Sequence, residues 1–218
     1  AIERKNFVWN LGLTMAHNKN KVLSLGNDEF KFPDADKLRG GIGDGSVGWT
    51  SETFQILEVG QSVGNFYGYK YAGKDKDGNF YGYSKDGKIR KFSQLTNEDK
   101  VILGNALPII TWGLSSSMSF YNVDFSFNLR GAIGGKLLNT KRLAYGNQSS
   151  LASGNMIISP DNGTTPPKKM TDYYLESGTF AKLGDVTLGY SFKLNDDVKK
   201  YLTNARLYFT AQNLATIS

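Results

Sequence analysis

Between Val123 and Arg130 the side chains alternate without a break: Val123, Phe125, Phe127 and Leu129 are apolar, while Asp124, Ser126, Asn128 and Arg130 are hydrophilic. Successive side chains on a strand point to opposite faces, so one face of this segment is greasy and the other wet. Just upstream, Trp112, Leu114, Met118 and Phe120 alternate with Thr111, Gly113, Ser115, Ser117 and Ser119. The two runs meet at Tyr121-Asn122, which predicts a tight turn and a long antiparallel hairpin with one apolar side. Two environments accept such a hairpin. A soluble β-sandwich packs the apolar face inward, whereas a membrane-spanning barrel turns it to lipid and keeps Gly, Ser and charges toward a wet lumen.

Composition favours strands in either case. The 218 residues hold 25 Gly, 12 Tyr and 13 Phe against 5 Pro and 4 Met, a balance of turn and strand formers that fits one large all-β domain. No apolar run reaches the about twenty residues of a transmembrane helix. A transmembrane strand needs only about ten alternating residues, so the low mean hydropathy does not argue against a membrane. The absence of cysteine removes a disulfide framework and a thiolate metal site. The net charge of +6 is spread along the chain without a dense basic run, which points to a basic surface and away from nucleic acid as a partner. The chain starts at Ala1-Ile2-Glu3-Arg4-Lys5 without a signal peptide and ends at Ala215-Thr216-Ile217-Ser218 still reading as a strand, so both ends look cut.

Strand-like alternation first appears at Phe7 to Met15, with Trp9, Leu11, Leu13 and Met15 on one face. Lys21 to Leu25 is expected to return as its partner strand after the polar turn His17 to Asn20. Gly26 to Ala106 then runs long, polar, Gly-rich and Tyr-rich without a sustained period and reads as a loop, as does Gly135 to Thr179 with its Thr164-Thr165-Pro166-Pro167 break. Val186, Leu188, Tyr190 and Phe192 mark another strand, and Lys193 to Asn204 turns the chain into Leu207, Phe209 and Ala211 opposite Tyr208, Thr210 and Gln212. About six strands follow from these patterns. Connections alternate short and long, which puts the short turns at one end of the sheet and the long loops at the other, as in outer-membrane barrels. A sandwich with one loop-rich end has the same order.

The wording of the sequence goes further. Gly60-Gln61-Ser62-Val63-Gly64-Asn65-Phe66-Tyr67-Gly68-Tyr69 resembles the "GxPxGxxYGY" signature of SusC-like (RagA-like) TonB-dependent outer-membrane transporters. Similar phrases follow in the family's order: Leu95 to Pro108, then Trp112-Gly113-Leu114, then Phe125 to Gly134, then Tyr173 to Tyr190, and finally Arg206 to Leu214. The departures are local. Ser62 stands where the family has Pro, and Ser84-Lys85-Asp86-Gly87 thins a more acidic run.

The resemblance implies a fold that is all-β, the antiparallel strands of a partial transmembrane β-barrel with long extracellular loops at about 26–106 and 135–179. The whole of 1–218 would be a segment from the C-terminal part of that barrel, without the plug domain and without the final strands. The implied parent sits in the outer membrane of a Gram-negative cell and imports large nutrients, oligosaccharide or peptide, with a SusD-like lipoprotein and TonB as partners. The alternative reading is a soluble carbohydrate-binding β-sandwich whose surface Tyr and Trp stack on sugars.

Other motifs carry little. Gly43-Asp44-Gly45-Ser46-Val47-Gly48 matches a dinucleotide fingerprint but lacks a strand before it and a helix after it. Gly131 to Lys136 falls one residue short of a phosphate loop. Asp75, Asp77 and Asp86 lie in Lys-Asp-Gly turns whose chemistry accounts for them without calcium, since the spaced carboxylates and closing Glu of an EF-hand are missing. Phe66-Tyr67-Gly68-Tyr69 and Phe80-Tyr81-Gly82-Tyr83 are too few copies for a repeat architecture. His17 is the lone histidine, placed in a predicted turn, so neither a metal pair nor a triad is indicated. No enzyme activity, metal or cofactor is expected. The residues to watch are those of the polar faces: in a barrel Asp124, Asn128, Arg130, Tyr208 and Gln212 face the lumen. Asp124 and Arg130 are too far apart on one strand to pair, so each needs a partner elsewhere. Trp9, Trp112, Phe120, Phe125 and Tyr190 are the matching candidates for lipid contact.

Overall fold

A computed structural model describes residues 1–27, 29–30, 37–42, 53–146, 156–158 and 169–218. In chain order the strands are β1 (Ile2–Arg4), β2 (Phe7–His17), β3 (Lys37–Ile42), β4 (Thr53–Glu58), β5 (Asn65–Gly68), β6 (Tyr71–Lys74), β7 (Phe80–Tyr83) and β8 (Ile89–Lys91). They continue with β9 (Val101–Asn105), β10 (Ile110–Phe120), β11 (Val123–Ile133), β12 (Lys136–Leu138), β13 (Leu175–Ser177), β14 (Phe180–Ser191) and β15 (Arg206–Ile217). Two short helices, α1 (Thr140–Tyr145) and α2 (Asp196–Lys199), complete the regular elements discussed below. The backbone divides into two compact units.

The first unit, Ala1–Asn18, Pro108–Gly134 and Gly178–Ser218, is a six-stranded antiparallel sheet in the order β1-β2-β10-β11-β14-β15. Alternation sets its register. Leu114 lies between Leu13 and Leu129, and Met118 between Trp9 and Phe125, while Ser117 lies between Asn10 and Ser126. A shift of one residue would exchange every apolar side chain for a polar one, so this pairing is strongly specified. Phe120 pairs with Val123 across Tyr121-Asn122, and the positive φ of Tyr121, 53°, supplies the reversal that a two-residue hairpin needs. The neighbouring turns are tied to this one: Tyr121 donates its N–H to the carbonyl of Asn6, and Ser191 donates to that of Asn122, at 2.9 and 2.8 Å.

The apolar face of this sheet is open. Leu13, Met15 and Phe209 expose 65%, 63% and 72% of their surface, and Leu11, Leu188, Leu207 and Ile217 are exposed as well. A sandwich would bury these side chains. Strands of 11 and 12 residues, β2, β10, β11, β14 and β15, are long enough to cross a bilayer at a tilt.

Two strand expectations need correction. Lys21 to Leu25 is not a strand and does not return along β2. The neighbours of β2 are β1 and, from far along the chain, β10. The five-residue run has too few alternating positions to compete with the eleven that β10 offers. Conversely, β1 and the first half of β14 were not foreseen. Between Leu183 and Asp185, Gly184 is an extra residue of β14 against β11, and at the same place the register with β15 shifts, where Asn213 and Leu214 of β15 lie opposite Gly184 and Asn213 has a φ of 55°. The bulge flips the parity, so Ala181 and Leu183 fall out of phase with Val186 and hide the strand from a simple period count.

The second unit, Lys19–Leu107 and Gly135–Ser177, gathers both long excursions. These were expected as loops without a period, and instead they carry a four-stranded sheet β3-β4-β5-β9, a three-stranded sheet β6-β7-β8 and the pair β12-β13. Its core joins residues of both excursions: Phe54 and Phe66 pack with Leu143, Met170 and Tyr174. A second cluster joins Tyr69, Phe80, Phe92 and Leu95, flanked by Tyr71 and Tyr173. Strands of three to six residues are too short to show a period, and half of this core comes from the distant excursion. The glycine run at 43–48 and the 164–167 break lie outside the described residues.

Candidate functional site

The hydrophilic rows of β2, β10, β11, β14 and β15 form one continuous polar face, and its cross-strand rungs follow from the register. Asn10, Ser117, Ser126, Thr187 and Thr210 make a row of small polar groups, in which the Thr187 and Thr210 hydroxyls hydrogen-bond at 2.9 Å. One rung toward the short turns, Ser119, Asp124, Gly189 and Tyr208 share a row. Here Asp124 on β11 accepts two hydrogen bonds from Arg206 on β15, from Nε at 3.0 Å and from Nη2 at 2.5 Å. The guanidinium also lies over the Tyr208 ring, 5.0 Å from its centroid. The bond crosses β14 at Gly189, where a Cβ would stand 2.6 Å from both carboxylate oxygens.

Toward the long excursions the next rung holds Gly12, Ser115, Asn128, Asp185 and Gln212. The Asn128 amide donates to both Asp185 oxygens, at 3.1 and 3.0 Å. One rung further are Thr14, Gly113, Arg130, Lys182 and Thr216. Asn128, Arg130, Gly184, Asp185, Gln212 and Asn213 line a cavity of about 270 Å³ at the bulge. Of the five residues singled out from sequence, Asn128, Arg130 and Gln212 therefore meet at one pocket, and Asp124 and Tyr208 meet at the Arg206 bridge. The partners Arg206, Asp185 and Lys182 were missed. Their signal was the register, which two-residue pairing from Tyr121-Asn122 outward would have supplied for β10 and β11 but not across the bulge.

The opposite face shows how an apolar surface accommodates exceptions. Ser116 interrupts the apolar row of β10, and its hydroxyl, 4% exposed, accepts a hydrogen bond from Trp9 Nε1 at 3.0 Å. The Trp112 ring closely approaches Gly131, its cross-strand neighbour, where a Cβ would sit 2.6 Å from the ring. Near the short turns Tyr190 and Phe192, and Phe120 and Tyr121, make edge contacts at 5.0 and 4.6 Å. His17, at the end of β2, donates Nδ1–H to the Ile109 carbonyl at 2.6 Å and remains exposed.

In the second unit the aromatic-glycine phrases have a steric origin. A Cβ at Gly68 would lie 2.4 Å from the Met170 carbonyl oxygen, to which the Tyr69 N–H donates at 2.8 Å. A Cβ at Gly82 would press on Leu95, Phe92 and the Lys70 carbonyl, which accepts from Tyr83 N–H at 2.9 Å. Each glycine lets a second piece of backbone lie against the strand. Asn105 closes the Gly64 turn by donating to the Val63 carbonyl and to Asn65 Oδ1 at 2.8 and 2.7 Å, while it accepts from Leu107 N–H. The acidic turns consume their own carboxylates. Asp75 accepts from the backbone of Asp77 and Asn79, from the Asn79 amide and from Tyr81, and these bonds hold its carboxyl below the usual range, the Asn79 amide most of all. Asp86 is held well below it by Ser84 first and then the Lys88 N–H.

Comparison with known proteins agrees with this geometry. No family model matches the chain. It is 27% identical to TonB-dependent receptor P3 of Formosa agariphila over 243 residues, covering 100% of this chain and 23% of that protein. It is also 27% identical to TonB-dependent receptor SusC of Bacteroides thetaiotaomicron, covering 100% of this chain and 22% of SusC. Among solved structures, the RagAB peptide transporter superposes with a TM-score of 0.73 at 20% identity, over 100% of this chain and 24% of that one. The chain thus spans about a quarter of the length of the curated relatives it matches. Its homologues are TonB-dependent receptors of the SusC kind, and its antiparallel strands have the fold of part of their barrel.

Proposed function

We propose that this chain is part of the barrel wall of an outer-membrane TonB-dependent importer. The observation that carries the reading is the sheet with one exposed apolar face and one continuous polar face, on strands long enough to span a bilayer. In this reading Trp9, Leu13, Met15, Leu188 and Phe209 face lipid, and Asp124, Asn128, Arg130, Tyr208 and Gln212 face the lumen. The wall performs no catalysis. It holds a hydrated passage for oligosaccharide or peptide, driven in the full-length parent by TonB and a movable plug. The soluble sandwich is disfavoured because its core would be the very face that lies open here.

The same reading assigns the folded excursion unit to docking a SusD-like lipoprotein. His17 and Ile110 are register partners, so joining Asn18 to Pro108 by a short turn removes the first excursion without disturbing the sheet. In the full-length receptor, that deletion is expected to leave a heat-modifiable barrel that no longer co-purifies with its lipoprotein. Undiminished co-purification would overturn the docking assignment.

A further inference from the structure

Arg130 on β11 and Lys182 on β14 are directly paired residues in the polar face. Directly opposed side chains in an antiparallel pair have Cβ atoms about 4.5–5.5 Å apart, and like charges so placed repel. Neither cation has a hydrogen bond or an ion pair with a described residue. Their rung offers no anion, since the other members are Thr14, Gly113 and Thr216. Asp185, on the adjacent rung, is hydrogen-bonded at both oxygens by the Asn128 amide and makes no ion pair with either cation. The three groups together carry one net positive charge. Beside them the bulge at Gly184 and Asn213 opens the cavity of about 270 Å³, with Arg130, Asn128, Asp185 and Gln212 on its walls.

We propose that this cavity binds a carboxylate, with Arg130 on its wall and Lys182 beside Arg130 as the counter-charges, and with the Asn128 side-chain oxygen and the Gln212 amide available to the neutral part of the ligand. The volume, below that of a drug-sized site, suits one sugar ring or one side chain of a longer solute. The inference rests on the lumen reading above, because only a wet lumen brings solute to this face. It adds a substrate class: acidic solutes, whose carboxylate sits on a sugar or on an amino-acid side chain. Arg offers a planar fork that can take both oxygens, while Lys contributes a point charge.

The test uses the full-length receptor in detergent, following the temperature at which its folded gel band converts to the unfolded one. Galacturonate and glutamate are the probes, with galactose and glutamine as neutral controls. Either acidic probe is expected to raise the conversion temperature by about 1–2 °C while the neutral controls do not, since a ligand of the folded state stabilises it by mass action. A response to galacturonate alone identifies a sugar acid, and a response to glutamate alone an acidic side chain. Arg130→Gln and Lys182→Gln should each abolish the shift. Lys182→Glu supplies the missing anion internally, so it should raise the conversion temperature without probe and remove the response. Absence of any response in the unsubstituted receptor, or a response that survives Lys182→Glu, would overturn the proposal. If no heat-convertible band exists at all, it is the barrel reading that fails.

Discussion

Asp124 and Arg206 sit on strands that are not neighbours, and their two hydrogen bonds pass over Gly189 of the strand between them. The bridge exists because one position of β14 has no side chain. Both ionic partners are about a third or more exposed, so solvent screens the pair and it contributes little to stability. Asp124→Asn should therefore shift stability little. Gly189→Val puts a Cβ into the space of both oxygens, but these and the guanidinium are the ends of flexible, exposed side chains that can swing away, so it should break the bridge at a similarly small cost. Denaturant titration of the folded receptor checks both variants, and a clear loss in either would show that the bridge braces the wall.

Trp9 and Ser116 form a second dependent pair. Trp9→Phe removes the donor and leaves a buried hydroxyl on an apolar surface, at a cost of about 1–3 kcal/mol. Ser116→Ala alone should be milder, and adding it to Trp9→Phe should restore part of the loss. A double-mutant cycle checks this, with simple additivity as the contrary result.

In the excursion unit, Gly68→Ala drives a methyl into the Met170 carbonyl, whereas Gly87→Ala meets open space and bears only the strain of a φ of 79°. The second change should cost about 1 kcal/mol. The first should loosen the packing between the excursions and create new protease cuts near Met170. Identical digestion patterns would contradict the steric account of the aromatic-glycine phrase.

Asp75, Asp86 and Asp99 all have carboxyls lowered in the fold, Asp99 mainly by the Thr96 N–H. A group whose folded pKa is depressed stabilises fully above its unfolded value, about 3.9, and loses that contribution as pH falls toward the folded value. The excursion turns should thus hold at pH 5 and open progressively below about pH 4, as seen by pepsin digestion or amide exchange. Asp86→Asn should weaken this pH dependence. Opening as pH rises would refute it.

The sheet was legible where alternation ran unbroken. Val123 to Arg130 and its partner around Trp112 to Phe120 showed both strands, the turn between them and the polar residues Asp124, Asn128 and Arg130 of one face. It became illegible at Gly184, where the bulge reverses parity, and at Ile2–Arg4, which is too short to show a period. The excursions were unreadable for a different reason: Phe66 and Met170 acquire meaning only when packed together, and no local pattern records that pairing. The resemblance phrases located Gly68 and Asn105 without explaining them. Their explanation is close backbone approach at Met170 and closure of the Gly64 turn.

The central claim is that the two faces of the sheet meet different solvents. Because this chain has no native cysteine, single cysteines can be placed at Leu13 and Phe209 on one face and at Asn128 and Gln212 on the other. In the full-length receptor, freed of any other thiols and reconstituted in lipid, a fluorophore at 13 or 209 should be quenched by nitroxide lipids and protected from an aqueous quencher. The same label at 128 or 212 should show the reverse. Positions 13 and 209 shielded from both quenchers would mean a buried protein core, and would contradict the account.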